Sequence, residues 1–406
     1  MMPPSDATYF RKGFGLKSAV QDELASDYDG RLVDFLRANE YTLTSGGVTV
    51  RLAKEFGFCY GVERAVEYAY QTRRKFPEKK IFMVGEIIHN PHVNEKLREM
   101  GIEILVAAAD GVFDYSAVRP EDVVIMPAFG VTIGDFETLR ANGCIMVDTT
   151  CGSVLNVWKR VDNYAKDGYT ALIHGKYYHE ETRATASQVR KYPNGHYIVV
   201  RHMEDVRVIC DFIEQKGVSA QDILDKFAHS ISPGFNPELH LQRVGVANQT
   251  TMLARESLAI GEEVGAAMER RYDAGHRAEH FRTFDTICSA TQDRQDAVRE
   301  LLEEPLDVMV VVGGYNSSNT ISLAAICAER VRTFHVEDAM AIDPDSGQIR
   351  FRPAGLHHHE ETVGGWLPAV GPVRIGLTAG ASTPNNKIGE AVARIFATRG
   401  IVPGVG

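Results

Sequence analysis

Short apolar runs alternate with segments of helical periodicity along most of the chain. The runs are continuously hydrophobic and rich in β-branched residues, which is typical of strands covered on both faces of a sheet. Strands that alternate with helices predict an α/β fold with mostly parallel sheets. The predicted strands are residues 81–84, 123–126, 171–173, 197–200, 308–312 and 373–377.

Other parts of the chain lack this alternation. Residues 1–50 are polar and mixed, with one short amphipathic helix near residues 33–37, and we expect an N-terminal extension. Residues 210–241, 271–280 and 354–366 are polar or interrupted by Gly and Pro, so we expect surface insertions. The last of these contains His357-His358-His359-Glu360-Glu361, which resembles a metal-ligand cluster. Its setting favours a solvated loop instead.

Three cysteines share one setting: Cys59, Cys151 and Cys288 each follow a β-rich stretch and precede a helical one. We therefore expect each thiol at the N-terminus of a helix, where the macrodipole and the unbonded amides favour the thiolate. No Cys-x-x-Cys occurs. Three separated thiolates suit an iron–sulfur cluster with one open iron better than a closed structural zinc site. Three unrelated buried cysteines remain the simpler alternative.

The cysteines also suggest a division of the chain. If each one opens a unit, boundaries fall near residues 148 and 286, and the three units have ordinary domain sizes. We predict an extension over residues 1–50 and α/β domains over 51–148, 149–286 and 287–396. A group bound by all three cysteines would lie where the carboxyl ends of the strands face a common centre.

Composition narrows the class of protein. The chain has 406 residues, 44% of them hydrophobic, and a formal net charge of -10, which argues against a general nucleic-acid binder. No apolar run is long enough for a membrane span, and the N-terminus does not look like a signal or transit peptide. Six cysteines in a chain of this length do not form a disulfide framework. We expect a cytoplasmic protein, with Cys144, Cys210 and Cys327 serving in packing.

Two loops have the composition of anion sites. Gly313 to Thr320 follows the strongest predicted strand and precedes a helix, and Thr378 to Pro384 has the same setting. Their backbone amides, hydroxyls and side-chain amide could hold a diphosphate. Ser, Asn and Thr are also ordinary helix N-caps, and that interpretation stays open.

Polar residues that follow two of the predicted strands and the short apolar run 244–246 can serve the same site. Ile88-His89-Asn90-Pro91-His92 and Tyr178-His179-Glu180-Glu181-Thr182 combine a phosphate-binding histidine with, in the second case, a proton donor. Gln249-Thr250-Thr251 adds hydroxyls. Surface histidines and N-capping residues are the alternative for each motif.

Taken together, these motifs resemble the 4-hydroxy-3-methylbut-2-enyl diphosphate reductase family, in its plastid and cyanobacterial branch, from about Val50 to Ile395. The resemblance implies three α/β domains in a trefoil around a 4Fe-4S cluster with three cysteine ligands and one open iron. It also implies the last step of the non-mevalonate (methylerythritol phosphate) pathway, from the allylic alcohol diphosphate to isopentenyl and dimethylallyl diphosphate. The matching segments are residues 56–65, 88–90, 148–151, 179–181, 249–251, 287–291, 316–319 and 378–382.

The resemblance further implies roles for single residues. Glu181 would donate the proton and Thr250 would lie near the substrate hydroxyl. The cluster ligands would be Cys59, Cys151 and Cys288, and the diphosphate would be bound by His89, His179, Ser317, Ser318, Asn319 and Ser382.

The chain departs from many bacterial members at two positions, with Phe129 in place of a histidine and Glu180 in place of a proline. The chain has no flavin or nicotinamide fingerprint, so we expect a separate carrier protein to deliver the electrons one at a time. The resemblance implies that this carrier is ferredoxin or flavodoxin. A zinc-dependent hydrolase of a phosphorylated substrate and a cluster-containing redox sensor are the competing functions.

Overall fold

A computed structural model describes residues 8–284, 286–355 and 359–403. Strands and helices alternate through most of this range. In chain order, the strands are β1 (Tyr9–Phe10), β2 (Thr42–Ser45), β3 (Val48–Leu52), β4 (Ile81–Val84), β5 (Ile102–Leu105), β6 (Val123–Met126), β7 (Ile145–Asp148), β8 (Thr170–His174), β9 (Tyr197–Val200), β10 (Val244–Asn248), β11 (Phe281–Thr283), β12 (Val308–Val312), β13 (Thr333–Val336), β14 (Ile342–Asp343), β15 (Gln348–Phe351), β16 (Glu361–Gly364) and β17 (Val373–Ala379).

Most of the helices follow a strand directly. In chain order they are α1 (Lys17–Tyr28), α2 (Arg31–Ala38), α3 (Tyr60–Lys75), α4 (Pro91–Glu99), α5 (Ile133–Asn142), α6 (Gly152–Lys166), α7 (Glu180–Ser187), α8 (Met203–Ile213), α9 (Ala220–Lys226), α10 (Pro237–His240), α11 (Ala254–Tyr272), α12 (Arg277–His280), α13 (Ser289–Leu301), α14 (Ser318–Ala328) and α15 (Asn385–Ala397). Short 3₁₀ helices cover Gln188–Lys191, Ala274–His276 and Ala339–Ala341.

The described chain forms two compact units. The first unit comprises residues 8–12, Lys79–Gly85 and Glu103–Cys288. It contains one sheet in the order β1-β7-β6-β4-β5 and another in the order β11-β10-β8-β9. All pairs of the second of these sheets are parallel. Strands β8 and β10 of this sheet are buried on both faces, as is typical of parallel strands that helices cover on both sides.

The second unit comprises Gly13–Glu78, Glu86–Ile102 and residues 289–403. Its main sheet has the order β13-β12-β17-β3-β2, and a small antiparallel sheet has the order β14-β15-β16. β3 pairs in parallel with β17, with Val48 opposite Val373. Helix α2 buries Val33 and Leu36 in the same hydrophobic core. Residues from the predicted extension are therefore part of this core.

The α/β prediction is confirmed, and each of the six predicted strands is a strand in the structure. The predicted surface insertion at residues 210–241 is wrong in part. Ile223 and Phe227 are one helical turn apart, and both are buried in the core beside the second sheet of the first unit. The prediction failed because so few apolar residues, spread among polar ones, give no visible periodic signal.

The predicted insertion at residues 354–366 is also wrong in part. Glu361–Gly364 forms strand β16, and Trp366 is buried against the ring of Phe334 with centroids 5.5 Å apart. Of the histidine run, His357 and His358 lie outside the described residues, while His359 is exposed.

The three-domain division at residues 50, 148 and 286 and its trefoil arrangement stay predictions. Among the helices in the described ranges, none is both long enough and apolar enough to cross a membrane.

Candidate active site

Each of the three singled-out cysteines stands at the start of a helix. Cys59 is the N-cap residue of α3 and Cys151 that of α6, and Cys288 immediately precedes α13. Each also follows the carboxyl end of a strand, namely β3, β7 and β11. The predicted strand-to-helix setting is therefore confirmed. All six cysteines lie within the described residues, and none of them forms a disulfide.

Cys151 and Cys288 belong to the first unit, and their surroundings bring donors to sulfur. The Ser153 hydroxyl donates to the Cys288 sulfur at 3.3 Å, and the amides of Ser153 and Val154 donate to the Cys151 thiol. Burial nevertheless raises the pKa of the Cys151 thiol, and nearby Cys288 raises it further, against the lowering effect of the two amides. The position of Cys151 at a helix N-terminus is therefore not enough to keep its thiol deprotonated. A bound metal cation would reverse this balance.

Hydrogen bonds fix the chain on either side of these two cysteines. Before Cys151, Asp148 accepts from the amide of Thr150 at 2.9 Å and from the hydroxyl of Tyr9 at 2.5 Å. Before Cys288, the Thr286 hydroxyl donates to the side-chain oxygen of Asn248 and accepts from the backbone amide of Asn248 at 3.2 Å. Asp285 lies outside the described residues. The loop that carries Cys288 is thereby tied to the carboxyl end of β10.

The first unit also buries a carboxylate at the start of α7. Glu181 is 1% exposed, and its Oε1 accepts from the Thr250 amide at 2.6 Å. His179 is the N-cap residue of this helix, and its Nδ1 accepts from the Glu181 amide at 3.1 Å. The neighbouring Glu180 side chain is 46% exposed. Three predicted site residues, His179, Glu181 and Thr250, are therefore brought together.

Gln249 and Phe129 shape this cluster, and sequence reasoning gave neither of them a structural role in it. Gln249 Oε1 accepts from the Thr182 hydroxyl at 3.1 Å and from the Lys176 amide at 3.2 Å, which joins the loop after β10 to the loop after β8. The ring of Phe129 meets that of His179 edge-on, with centroids 5.6 Å apart. Phe129 therefore contributes an apolar wall where a histidine would offer a hydrogen bond.

In the second unit, the two predicted anion loops lie side by side. Asn319 Oδ1 accepts from the Ala381 amide at 2.9 Å, and the Ser382 hydroxyl lies 3.5 Å from that of Ser317. Ser317 caps α14 by accepting from the Thr320 amide at 3.3 Å, and Ser318 is buried in its first turn. The N-cap interpretation is thus correct for Ser317. It does not account for Asn319, whose buried Nδ2 has no hydrogen-bond partner among the described residues.

His89 joins these loops through its backbone. Its carbonyl accepts from the Ser382 hydroxyl at 3.1 Å, and its Nδ1 lies 2.9 Å from a Glu86 carboxylate oxygen. Gly314 makes this approach possible, since a Cβ there would lie 2.6 Å from the His89 carbonyl oxygen. Three of the predicted anion-binding stretches therefore meet here, namely the two loops and the stretch that contains His89.

The segment that carries Cys59 is hydrogen-bonded to the second of these loops, residues 378–384. The Cys59 amide donates to the Ala381 carbonyl at 3.2 Å, and the Gly57 amide donates to that of Ala379 at 3.3 Å. A further contact comes from Arg294 on α13, which donates to the carbonyls of Gly57 and Phe58. Sequence reasoning missed Arg294. Its signal was an arginine on the apolar face of an amphipathic helix, in register with Ala297, Val298 and Leu301.

The donor set fits an iron–sulfur group. Thiols without disulfide partners at helix N-termini, with amide and hydroxyl donors directed at sulfur, are what thiolate-ligated clusters use. The fold and these sites define an α/β protein with three thiols at helix starts, a buried glutamate beside a histidine, and two adjacent hydroxyl-rich loops.

Comparison with known proteins gives the particular family. Residues 50–396 match the model of the LytB protein family, and the chain belongs to that family. It is 46% identical over 398 residues to a 4-hydroxy-3-methylbut-2-enyl diphosphate reductase of Thermosynechococcus vestitus, covering 98% of this chain and 96% of the relative. A reductase of the same name from Gloeobacter violaceus is 47% identical over 398 residues, covering 97% of this chain and 93% of the relative.

Two solved structures share the fold. One is described as (E)-4-hydroxy-3-methyl-but-2-enyl diphosphate reductase, the terminal enzyme of the non-mevalonate pathway. It has a TM-score of 0.51 and 28% identity over 85% of this chain and 98% of its own. The other is the E-1-hydroxy-2-methyl-but-2-enyl-4-diphosphate reductase of Plasmodium falciparum, with a TM-score of 0.60 and 22% identity over 86% of this chain and 87% of its own. At 22% identity, the second likeness shows the fold alone.

Proposed function

We propose that this chain reduces (E)-4-hydroxy-3-methylbut-2-enyl diphosphate to isopentenyl diphosphate and dimethylallyl diphosphate, the last step of the methylerythritol phosphate pathway. The observation that carries the proposal is the identity of nearly half, over almost the whole chain, to reductases of this name. The reaction consumes two electrons and two protons. The allylic C–O bond breaks, the oxygen leaves as water, and a C–H bond forms.

The family depends on an iron–sulfur group, and we assign Cys59, Cys151 and Cys288 as the ligands of a 4Fe-4S cluster with one open iron. When bound, this group supplies the electrons and a Lewis acid. The positions of all three thiols at helix N-termini support the assignment. Ferredoxin or flavodoxin is the proposed electron donor.

Thiols offered to iron require a reducing compartment, so we also propose a cytoplasmic location.

Glu181 is the proposed proton donor for the departing hydroxyl. Hydroxide is a poor leaving group, so an acid within hydrogen-bond reach lowers the barrier. Glu181 is buried and hydrogen-bonded to the Thr250 backbone, which holds the carboxyl in one orientation, whereas the Glu180 side chain is half exposed. Thr250 lies beside Glu181, so we assign it as the residue near the substrate hydroxyl.

The diphosphate is the group by which the substrate is positioned. The Asn319 Nδ2 donor is buried without a partner among the described residues, in the first turn of α14. The Oδ1 of the same side chain accepts from the Ala381 amide, and the hydroxyl of the next residue, Ser382, lies 3.5 Å from that of Ser317. Such donors favour an anion, and they orient the hydrocarbon for reaction. We assign the diphosphate to Ser317, Ser318, Asn319 and Ser382, together with His89 and His179.

The test is metal analysis followed by turnover. Protein purified without oxygen should be brown, contain iron and acid-labile sulfide, and convert the allylic diphosphate to both products with a chemical reductant. A colourless zinc protein that releases phosphate would establish the hydrolase instead. Reversible cluster reduction with no turnover of the diphosphate would favour a redox sensor.

A further inference from the structure

Arg294 is a buried cation whose hydrogen-bond acceptors, among the residues that the structure describes, are all backbone carbonyls. The residue is 4% exposed and lies in the second turn of α13. Its Nη2 donates to the Gly57 carbonyl at 2.7 Å and to the Phe58 carbonyl at 3.2 Å, and its Nε also reaches Gly57, at 3.2 Å. Its Nη1 donates to the Ala290 carbonyl at 2.8 Å.

These carbonyls belong to the segments that flank two cysteines. Gly57 and Phe58 are the two residues before Cys59, and Ala290 is the second residue after Cys288. Gly57 has φ +67, a left-handed conformation that favours glycine. The Arg294 guanidinium therefore links the segment before Cys59 to the first turn of the helix that follows Cys288. Arg294 and Gly57 are 237 positions apart in sequence.

No carboxylate among the described residues pairs with this charge. The acidic residues beside it in sequence, Asp293 and Asp296, are exposed, and Asp296 binds Arg299 at 2.9 Å. A buried charge without a counterion is strongly unfavourable, and carbonyl hydrogen bonds compensate it only in part. An anion close to Arg294 would resolve this cost, and a thiolate-ligated iron–sulfur cluster is an anion.

We propose that Arg294 is a positioning and charge-compensating residue for the cluster, which rests on the function proposed above. Its guanidinium fork holds the segments next to Cys59 and Cys288 in place. Its positive charge favours the reduced cluster, because reduction adds one negative charge in a medium of low dielectric. Net charge and burial are among the levers that set the potential of such clusters.

The test uses two substitutions that separate charge from geometry. Arg294→Lys keeps the charge and loses the planar fork, while Arg294→Gln loses both. Arg299→Gln is the matched control, since it removes an arginine of the same helix that pairs with an exposed aspartate. Each protein is purified with its cluster under anaerobic conditions. The measurements are iron content, the midpoint potential by a spectroscopic redox titration, and the rate of iron release to a chelator.

We expect Arg294→Gln to lower the midpoint potential, and Arg294→Lys and Arg299→Gln to stay near the parent value. Iron release should be severalfold faster in both Arg294 variants and unchanged in the control. An unshifted potential in iron-replete Arg294→Gln would overturn charge compensation. If Arg294→Gln does not fold, the positioning role is tested with Arg294→Lys alone. Iron release from Arg294→Lys at the parent rate would refute that role. A parent protein without iron and sulfide would refute the proposed function instead.

Discussion

Replacing Glu181 with glutamine tests the assignment of the proton donor. Glutamine has the same shape as glutamate and keeps an oxygen that can accept a hydrogen bond from the Thr250 backbone amide. In the parent protein this amide donates to Glu181 Oε1 at 2.6 Å. Glutamine cannot deliver a carboxyl proton. We therefore expect substrate to bind normally and turnover to fall by about 10²- to 10⁴-fold, the usual effect of losing a general acid.

The expected loss of activity is larger than the expected loss of stability. A factor of 10² to 10⁴ corresponds to about 2.7 to 5.4 kcal/mol of activation free energy. Because the glutamine oxygen can replace Oε1 as the acceptor of the Thr250 amide, the free energy of unfolding should fall by no more than about 1 kcal/mol. The variant should therefore remain folded while it turns over slowly.

The assay compares single-turnover rates of anaerobically purified protein with a chemical reductant in excess. Substrate affinity is measured separately, from the change in the cluster spectrum on binding, and the free energy of unfolding is measured in urea. These measurements separate proton delivery from binding and from folding, since only the rate should change strongly.

Glu180→Gln is the matched control, because it makes the same chemical change one residue away on a side chain that is 46% exposed. Its turnover should stay close to that of the parent. If Glu180→Gln is inactive and Glu181→Gln turns over normally, the argument from burial is refuted. The donor would then be the exposed carboxylate.

Three further predictions concern the ligands, the anion site and acid stability. Serine at any one proposed ligand should remove or convert the cluster, and serine at a packing cysteine should not; full iron content and activity in Cys151→Ser would contradict this. The ligand set is Cys59, Cys151 and Cys288, and the packing set is Cys144, Cys210 and Cys327. Asn319→Ala and Ser382→Ala should each weaken substrate binding by about 1 to 3 kcal/mol with an intact cluster spectrum, and titrations that give the parent affinity for both variants would refute the diphosphate assignment. Burial lowers the pKa of His174 to about 4, so below about pH 6.5 the unfolded state binds a proton that the folded state does not. The free energy of unfolding, measured in urea, should therefore fall by about 2 kcal/mol from pH 7.5 to pH 5. The fall should be smaller in His174→Gln.

The strands and the cysteine settings could be predicted from sequence because their signals are local. Residues 123–126 and 308–312 are continuous apolar runs between polar segments, and both are strands with the predicted bounds. Cys59 and Cys151 precede helices whose periodicity is visible within a few residues. The family resemblance added roles to these residues, and the roles themselves stay predictions.

Other features depend on contacts between distant parts of the chain. The pairing of β3 with β17 places residues of the predicted extension in a main sheet of the second unit, and nothing in residues 1–50 indicates that partner. Phe227 and Trp366 looked like parts of surface insertions, yet both are buried, because long-range packing decides which isolated apolar side chains are covered.

The sequence by itself determined that this chain is an α/β protein with three cysteines at helix starts and hydroxyl-rich loops after strands, since propensity, periodicity and helix geometry act over a few residues. Tertiary structure alone decided that Glu181 is buried against Thr250 while Glu180 is exposed, and that Arg294 reaches Gly57. Burial and hydrogen bonding between residues far apart in sequence depend on how the elements pack. They also govern the charge and orientation of the groups that would do the chemistry.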